Sequence, residues 1–355
     1  MRRSAVNKRC FDIPRRNFLK GCAIAAVASA DPAFSMIGLD GRKAAQISSS
    51  ARWRPLDFVD PIIGTGWHGH VFPGAVAPFG LVQLSPDTSG PPERRRGNAP
   101  DYYGWNHCSG YHYPDNVILG FSHTHLQGTG GSDLGDILVM PVVEGRNWSW
   151  DAGIPTDQGE AQIDAIGENS GWVFSESEPG YRSFFSHQTE MARAGYYAVH
   201  LETPDARAEL TATTRCGMHR YSYPSLPSHI QHGIIVDLIH GLGSRAYHAE
   251  LNIESDSRIS GSRSTHGWAQ DRQVCFVMEF SRPAASVQVK VDGKVSPAAA
   301  GGRLSGEQLQ AIFNHTAAAE PLILRVGISG TSVEGARKNL AAEIPHWDFD
   351  GVVHQ

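Results

Sequence analysis

Val274-Cys275-Phe276-Val277-Met278-Glu279-Phe280, then Ser286-Val287-Gln288-Val289-Lys290-Val291 closed by Asp292-Gly293, is the stretch that decides the fold. Apolar runs this short, bounded by turn residues, read as strands rather than helices, and Asp-Gly marks a tight turn between two of them. The pattern continues outward over 171–330. Residues 196–202 alternate, 209–223 form a long Thr-rich run, and 233–240, 250–259 and 321–328 complete the series. Ser260-Gly261 reads as a further turn. Upstream, 55–141 is dense in Gly, Pro, His and aromatic residues, with short apolar runs at 58–63, 80–84, 117–121 and 137–143. There is no strand–helix alternation that would build βαβ units, and no internal repeat. The spacing predicts an all-β chain, a large antiparallel β-sandwich over 55–330.

One helix is expected, at the end. Thr331-x-x-Glu334 fits a capping box, Val333, Ala336, Leu340 and Ile344 fall near helical spacing, and Pro345 stops the run. Trp347, Phe349, Val352 and Val353 then follow with nothing after them to pack against. Residues 331–355 therefore read as the start of a helical linker leading into another element.

The chain has 355 residues, of which 41% are hydrophobic and 19% charged, so wholesale disorder is excluded. Nothing approaches the ~20 uninterrupted apolar residues of a membrane span. The net charge of −5 hides an asymmetry, because residues 1–30 carry seven basic side chains and one acid, and without them the charge is −11. An acidic body argues against nucleic acid as a partner and suits a neutral ligand such as a sugar.

Residues 1–30 read as an address. Pro14-Arg15-Arg16-Asn17-Phe18-Leu19-Lys20 precedes a short apolar run that ends in Ala28-Ser29-Ala30, the pattern of a twin-arginine signal peptide with its cleavage site. The expectation is a periplasmic or secreted protein, with 31–54 as a polar, Ser-rich linker. Cys108, Cys216 and Cys275 remain after cleavage. Three widely spaced cysteines make neither a disulfide framework nor a zinc site, and one bridge plus one free thiol is open.

Several motifs bear on chemistry. Gly64-Thr65-Gly66-Trp67-His68-Gly69 fits G-x-G-x-x-G, but Pro73-Gly74 forbids the helix a dinucleotide loop must open. His68-Gly69-His70 and His123-Thr124-His125 are both His-x-His, which on a strand would point two imidazoles to one face, with His107 and His112 between them. Clustered imidazoles can bind zinc, but no H-E-x-x-H or carboxylate pattern accompanies them, and no metal site is assigned. The stretch from Asp101 to Tyr113, with Tyr102, Tyr103, Trp105, Tyr111 and Tyr113, suits either a sugar, whose apolar face stacks on aromatic rings, or an aromatic core loop. Glycoside hydrolysis needs two carboxyl groups flanking the bond. Asp87, Asp101, Asp115, Asp133 and Asp136 are the acids of the region, and capping of a Gly-rich loop is the favoured role for Asp133 and Asp136.

These residues resemble a known family. Asp60-Pro61-Ile62-Ile63-Gly64-Thr65-Gly66, Phe72-Pro73-Gly74-Ala75, Gln83-Leu84-Ser85-Pro86-Asp87-Thr88, Gly104-Trp105, Cys108-Ser109-Gly110-Tyr111-His112-Tyr113, Gly120-Phe121-Ser122-His123-Thr124-His125-Leu126 and Ser132-Asp133-Leu134-Gly135-Asp136 are similar to the start of glycoside hydrolase family 92, and the resemblance extends to Trp347-Asp348-Phe349. It implies exo-acting, inverting, calcium-dependent α-mannosidases, with an N-terminal galactose-mutarotase-like supersandwich, a helical linker and an (α/α)6 barrel. In such enzymes the acid, the base and the calcium ligands come from the barrel.

By the resemblance, this chain covers the sandwich and stops at the linker, so no catalytic carboxylate, metal ligand or cofactor is assigned to it. What carries over is pocket wall. Trp105 is expected to stack on the sugar next to the cleaved mannose, and Gly74 to bring backbone close to the ligand. His112, His123, His125 and Asp133 are expected as polar lining or loop support. Gly131 stands where the resemblance calls for Cys, and Trp67 where it calls for a small residue. The expected partners are α-mannoside glycans and a separate barrel domain. The expected function is the carbohydrate-binding domain of an α-mannosidase, the alternatives being an exported mannoside-binding module without turnover and an inert fragment exposing an old interdomain surface.

Overall fold

The structure, a computed structural model, describes residues 55–89, 106–144, 149–150, 180–223, 227 and 229–355. The segments read as a signal peptide (1–30) and a linker (31–54), together with Trp105 and the aromatic residues before it, lie outside the described residues.

The strands form two antiparallel sheets. The first runs β1 (Ala75–Val76), β2 (Gln83–Ser89), β3 (Val117–Ser122), β4 (Leu138–Val143), β10 (Gln231–Asp237), β17 (Leu309–Thr316), β14 (Ser286–Val291) and β15 (Lys294–Ala298), with β5 (Ser183–Phe184) paired to β3. The second runs β16 (Arg303–Gly306), β11 (Arg245–Ser255), β12 (Arg258–His266), β13 (Arg272–Phe280), β18 (Leu322–Ser329), β9 (Cys216–Ser222), β8 (Ala206–Ala212), β7 (Tyr196–Leu201) and β6 (Met191–Arg193). Leu84, Phe121, Val139, Ile234 and Phe313 from the first sheet and Val199, Leu210, Leu251, Phe276 and Leu324 from the second belong to one continuous core. The chain is all-β in two antiparallel sheets, as the short apolar runs require.

Burial explains the details. β3 and β4 are buried at every position. Alternation is absent because loops cover the face turned away from the other sheet, and those loops build the site described below. Asp292 (φ 46°) and Gly293 (φ 83°) both take the left-handed conformation between β14 and β15, as a tight hairpin turn demands.

Several boundaries differ from the sequence reading. The 58–63 run is not a strand, since a short 3-10 turn at Pro55–Phe58 and further turns occupy it. The 209–223 run is a hairpin, β8 and β9, turned at Thr213-Thr214-Arg215 without Gly or Pro. Residues 250–259 likewise span the β11–β12 turn. Ser260-Gly261 is not a turn. Gly261 lies inside β12, where a Cβ would meet the Glu250 carbonyl oxygen at 2.1 Å.

At the C-terminus, α1 (Val333–Glu343) is capped one residue later than expected. Ser332, not Thr331, accepts from the Gly335 N–H, while Thr331 pairs with the Ser329 hydroxyl. Ala336 and Leu340 of α1 bury against β18, where Gly327 leaves the space; a Cβ there would meet Ala336 O at 2.5 Å. The apolar residues after Pro345 are not stranded. They form α2 (Phe349–His354), with Phe349 and Val352 buried beside Tyr196, Ala198 and Met218 of the second sheet. The Arg220 guanidinium lies over Phe349 at 4.3 Å and Arg325 over Trp347 at 4.4 Å. Cys108, Cys216 and Cys275 are buried and unbridged, so no disulfide forms among them. No described helix is long and apolar enough to cross a membrane.

Candidate functional site

The site is built on the loop-covered side of β2. Asp87 lies at a bulge, since the β2–β3 register slips between Asp87 and Thr88, and bulges re-aim side chains. Its carboxylate is buried between two imidazoles, Oδ1 taking His125 Nε2 at 2.7 Å and Oδ2 taking His240 Nε2 at 2.7 Å. His125 Nδ1 faces the Gln83 carbonyl at 2.6 Å, and Ser122 Oγ stands 3.0 Å from its Nε2, so both nitrogens of this ring are held. Burial alone would raise Asp87, but the charges and hydrogen bonds of His125 and His240 outweigh it and hold the carboxyl below the ordinary carboxylate range.

The loop carrying Cys108-Ser109-Gly110 lies directly on this cluster. Gly110 (φ 83°) donates no side chain because a Cβ there would sit 2.1 Å from Asp87 Oδ1. On the same loop, His107 Nε2 meets Asp115 Oδ2 at 2.6 Å, and Thr88 Oγ1 donates to the same oxygen at 2.6 Å. Burial would raise Asp115, but the hydrogen bonds from His107 and Thr88, with the His112 ring close by, lower it to about 2. Beyond it, Glu190 accepts from the hydroxyls of Tyr111 and Tyr197 and pairs with His187 Nδ1 at 2.6 Å. Tyr111 of the aromatic stretch is therefore a buried scaffold residue. Tyr113 is half-exposed and stacks on His187 at 4.2 Å.

The residues singled out from sequence disperse into different roles. His125 joins Asp87. His112 stands near Asp115, its Nδ1 3.7 Å from Oδ1. His123 is fully buried in the core. Its Nδ1 donates to Ile137 O at 2.7 Å, and its Nε2 accepts from His219 Nε2 at 3.1 Å, while His219 Nδ1 accepts from the Tyr221 hydroxyl at 2.9 Å. Burial disfavours charge on this ring and lowers it to about 4. Asp133 caps a loop, its Oδ1 accepting from the Leu134 N–H at 2.8 Å and its Oδ2 from the Trp268 N–H at 3.0 Å. Gly74 is needed for close approach to β2, since a Cβ would lie 2.2 Å from Leu84 O. The two His-x-His segments are not strand pairs. Residues 68–70 leave a turn as irregular chain with His70 at φ 50°, and His123 and His125 belong to separate networks.

Asp136, expected as a loop cap, does more. It binds the fully buried Arg263 through Oδ1, and Arg272 through Oδ2 at 2.6 Å and Oδ1 at 3.0 Å. Thr124 donates to it at 2.5 Å. Burial would raise its carboxyl, but Arg263 and Arg272 hold it below the ordinary range. Sequence reasoning missed His240, Arg263 and Glu190, which reach the site from positions 240, 263 and 190 by topology alone.

The surface above this network carries exposed rings. Trp67 is 83% exposed and held at φ 52°. Its loop touches that of Tyr113, whose N–H donates to Thr65 O at 3.0 Å. A Cβ at Gly66 would lie 3.8 Å from Tyr113 Cβ. Gly131, where Cys was expected, makes room for a third ring, since a Cβ there would come within 2.9 Å of Trp268 Cζ2.

Calcium, implied by the family resemblance, takes six to eight oxygen ligands. Asp87, Asp115, Asp133 and Asp136 are each bound to imidazole, guanidinium, hydroxyl or backbone N–H groups, and among the described residues the one side-chain group with metal-ligating spacing is His107, His112 and Asp115. Two nitrogens and one carboxylate are not a calcium set, so these residues do not fit that ion. Nor do the same four carboxylates leave a pair placed to act as general acid and base.

Comparison with known proteins agrees with this architecture. Residues 58–329 match the glycosyl hydrolase family 92 N-terminal domain. An uncharacterized secreted glycosidase of Arthroderma benhamiae is 26% identical over 323 residues, covering 84% of this chain and 36% of that protein. A family GH92 α-mannosidase from Bacteroides thetaiotaomicron superposes with a TM-score of 0.69 at 31% identity, covering 84% of this chain and 36% of that one. The same enzyme in complex with mannoimidazole gives 0.68 at 30% identity, with 84% and 35% covered. The chain thus spans about a third of the length of these relatives.

Proposed function

Because the chain belongs to glycoside hydrolase family 92 and matches its N-terminal domain, we propose that it is the carbohydrate-binding sandwich of an exported α-mannosidase. In this reading it forms one wall of a pocket for terminal α-mannosides, and a catalytic domain supplies the chemistry. The observation that carries the division of labour is the commitment of Asp87, Asp115, Asp133 and Asp136 to scaffold contacts. Inverting hydrolysis needs one carboxylic acid to protonate the leaving oxygen and one carboxylate to activate water, about 6.5–9.5 Å apart. Carboxylates already bonded to imidazole, guanidinium or backbone N–H groups are poor candidates for either task. Calcium, where the family uses it, would be held by that other domain.

The sandwich contributes shape and stacking. Trp105 is the ring proposed to lie against the sugar next to the cleaved mannose. Trp67 and Tyr113, on touching loops, extend the aromatic surface. A left-handed conformation for a bulky residue is costly and is a pointer to function when it presents an exposed ring. Titration of the purified chain with an α-mannoside tests this. Saturable binding that Trp105→Ala abolishes, with the fold intact by circular dichroism, is expected; affinity untouched by that change would remove the proposal. A second reading, mannoside binding without a catalytic partner, is favoured by the burial of Phe349 and Val352 against the second sheet.

A further inference from the structure

Three side chains of the loop before β3 are absorbed by neither the core nor the proposed sugar surface. His107, His112 and Asp115 each offer one ligand atom, and the three atoms lie within 4.8 Å of one another. His107 Nε2 is 2.6 Å from Asp115 Oδ2, and His112 Nδ1 is 3.7 Å from Asp115 Oδ1. The second distance is too long for a hydrogen bond. It is near the separation of about 3.3 Å between two ligands that each sit ~2.0 Å from a tetrahedral ion. His112 is 2% exposed, yet its Nε2 has no hydrogen-bond partner. A buried imidazole with no closer polar contact than 3.7 Å is under-satisfied, and an ion at the centre of the three would engage its Nδ1, the nitrogen that faces Asp115.

The surroundings are those of a held site. Thr88 Oγ1 donates to Asp115 Oδ2 at 2.6 Å and accepts from the His112 N–H at 2.9 Å, so one hydroxyl positions both a carboxylate and the backbone of an imidazole. Outer contacts of this kind orient metal ligands. The Thr88 N–H donates to Gly110 O at 2.8 Å and the Asp115 N–H to His112 O at 3.0 Å, which pins the loop on β2. The His112 and Asp115 side chains are enclosed, at 3% and 5% exposure, while His107 at 26% leaves a route from solvent.

We propose that His107, His112 and Asp115 bind a divalent transition-metal ion of the zinc class, with the remaining coordination position open to water. Two imidazoles and one carboxylate suit zinc, cobalt or nickel and do not suit calcium or magnesium. The ion would take the place of the His107–Asp115 hydrogen bond. In this fold it would tie the loop bearing Tyr111 and Tyr113 to Asp115, at the foot of β3.

The test is a calorimetric titration of the tag-free chain, stripped by chelator, with zinc sulfate and in parallel with calcium chloride. Saturable binding of one equivalent of zinc, a raised Tm in its presence and no comparable calcium binding are expected. His107→Gln and Asp115→Asn should each weaken zinc binding at least tenfold and remove the Tm rise. Asp115 also anchors Thr88, so His107→Gln, whose ring is partly exposed, decides the matter if the other variant does not fold. Absence of saturable zinc binding by the folded chain, or binding unchanged in His107→Gln, would overturn the proposal. No sugar enters the assay, so its outcome is separate from that of the mannoside reading.

Discussion

At the residue scale, two side chains define what the scaffold can tolerate. Asp136 neutralises Arg263, which has no exposure at all, and binds Arg272 and Thr124 besides. Removing one partner of a buried pair leaves an uncompensated charge, typically worth 3–5 kcal/mol. Asp136→Asn should therefore lower the unfolding free energy by about 3 kcal/mol or more, read as a shift in the urea midpoint. A change within experimental error would mean that Arg263 finds water. Trp67 gives the opposite kind of test. Its φ of 52° costs an L-residue roughly 1 kcal/mol or more. Trp67→Gly should raise the Tm slightly while weakening mannoside affinity several-fold. A change that lowers both would make Trp67 a structural residue. Asp136 and Trp67 were both visible in the sequence, one as a loop acid and the other as an unexpected bulky residue. Their roles were not, because Arg263 and the φ value arrive only with the fold.

At the scale of elements, the C-terminal helix shows how close sequence rules come. Its existence and its stop at Pro345 were legible, but the cap is Ser332. Ser332→Ala should cost about 1 kcal/mol of stability and Thr331→Ala clearly less, by denaturant titration. The reverse order would contradict the assigned cap. The strands were legible where apolar residues dominate the run, as in β3, β4, β13 and β18. β17 was not, because Gln310 and His315 interrupt it; both are buried polar residues, Gln310 Nε2 donating to Asp237 Oδ2 at 2.7 Å and His315 Nδ1 to Pro283 O at 3.1 Å. A buried polar group that has a partner defeats any hydrophobic pattern. Gly261 misled in the same way, since a glycine that serves close strand approach carries the same letter as one that serves a turn.

At the scale of the molecule, the interior holds several neutral histidines, and this sets a pH response. Burial lowers His123 to about 4 and His315 to about 4, His232 falls to about 3, and His219 lies well below its ordinary value. Below about pH 6.5 the unfolded chain binds protons at these rings that the folded chain refuses, so stability falls as pH drops towards 4. For the fully buried His123 alone the slope is roughly 1 kcal/mol per pH unit. Asp115, lowered to about 2, contributes in full above about pH 4 and loses its contribution only as pH falls from there towards 2. Urea midpoints at pH 7.5 and 5.0 should therefore differ clearly, with the acid sample weaker, and a flat profile across that window would contradict neutral core imidazoles. The same large-scale view underlies the proposed functional division. The two sheets and their covering loops absorb the acids into the scaffold, leaving aromatic rings for the surface.

The central proposal is that this chain holds a mannoside and leaves its hydrolysis to a catalytic domain. The measurement that meets it most directly is free mannose released from an α-mannobiose by the purified chain with calcium present, followed alongside binding of the same sugar. The account predicts saturable binding and no release. Release that persists through purification would contradict it and return Asp133 and Asp136 to consideration as catalytic groups.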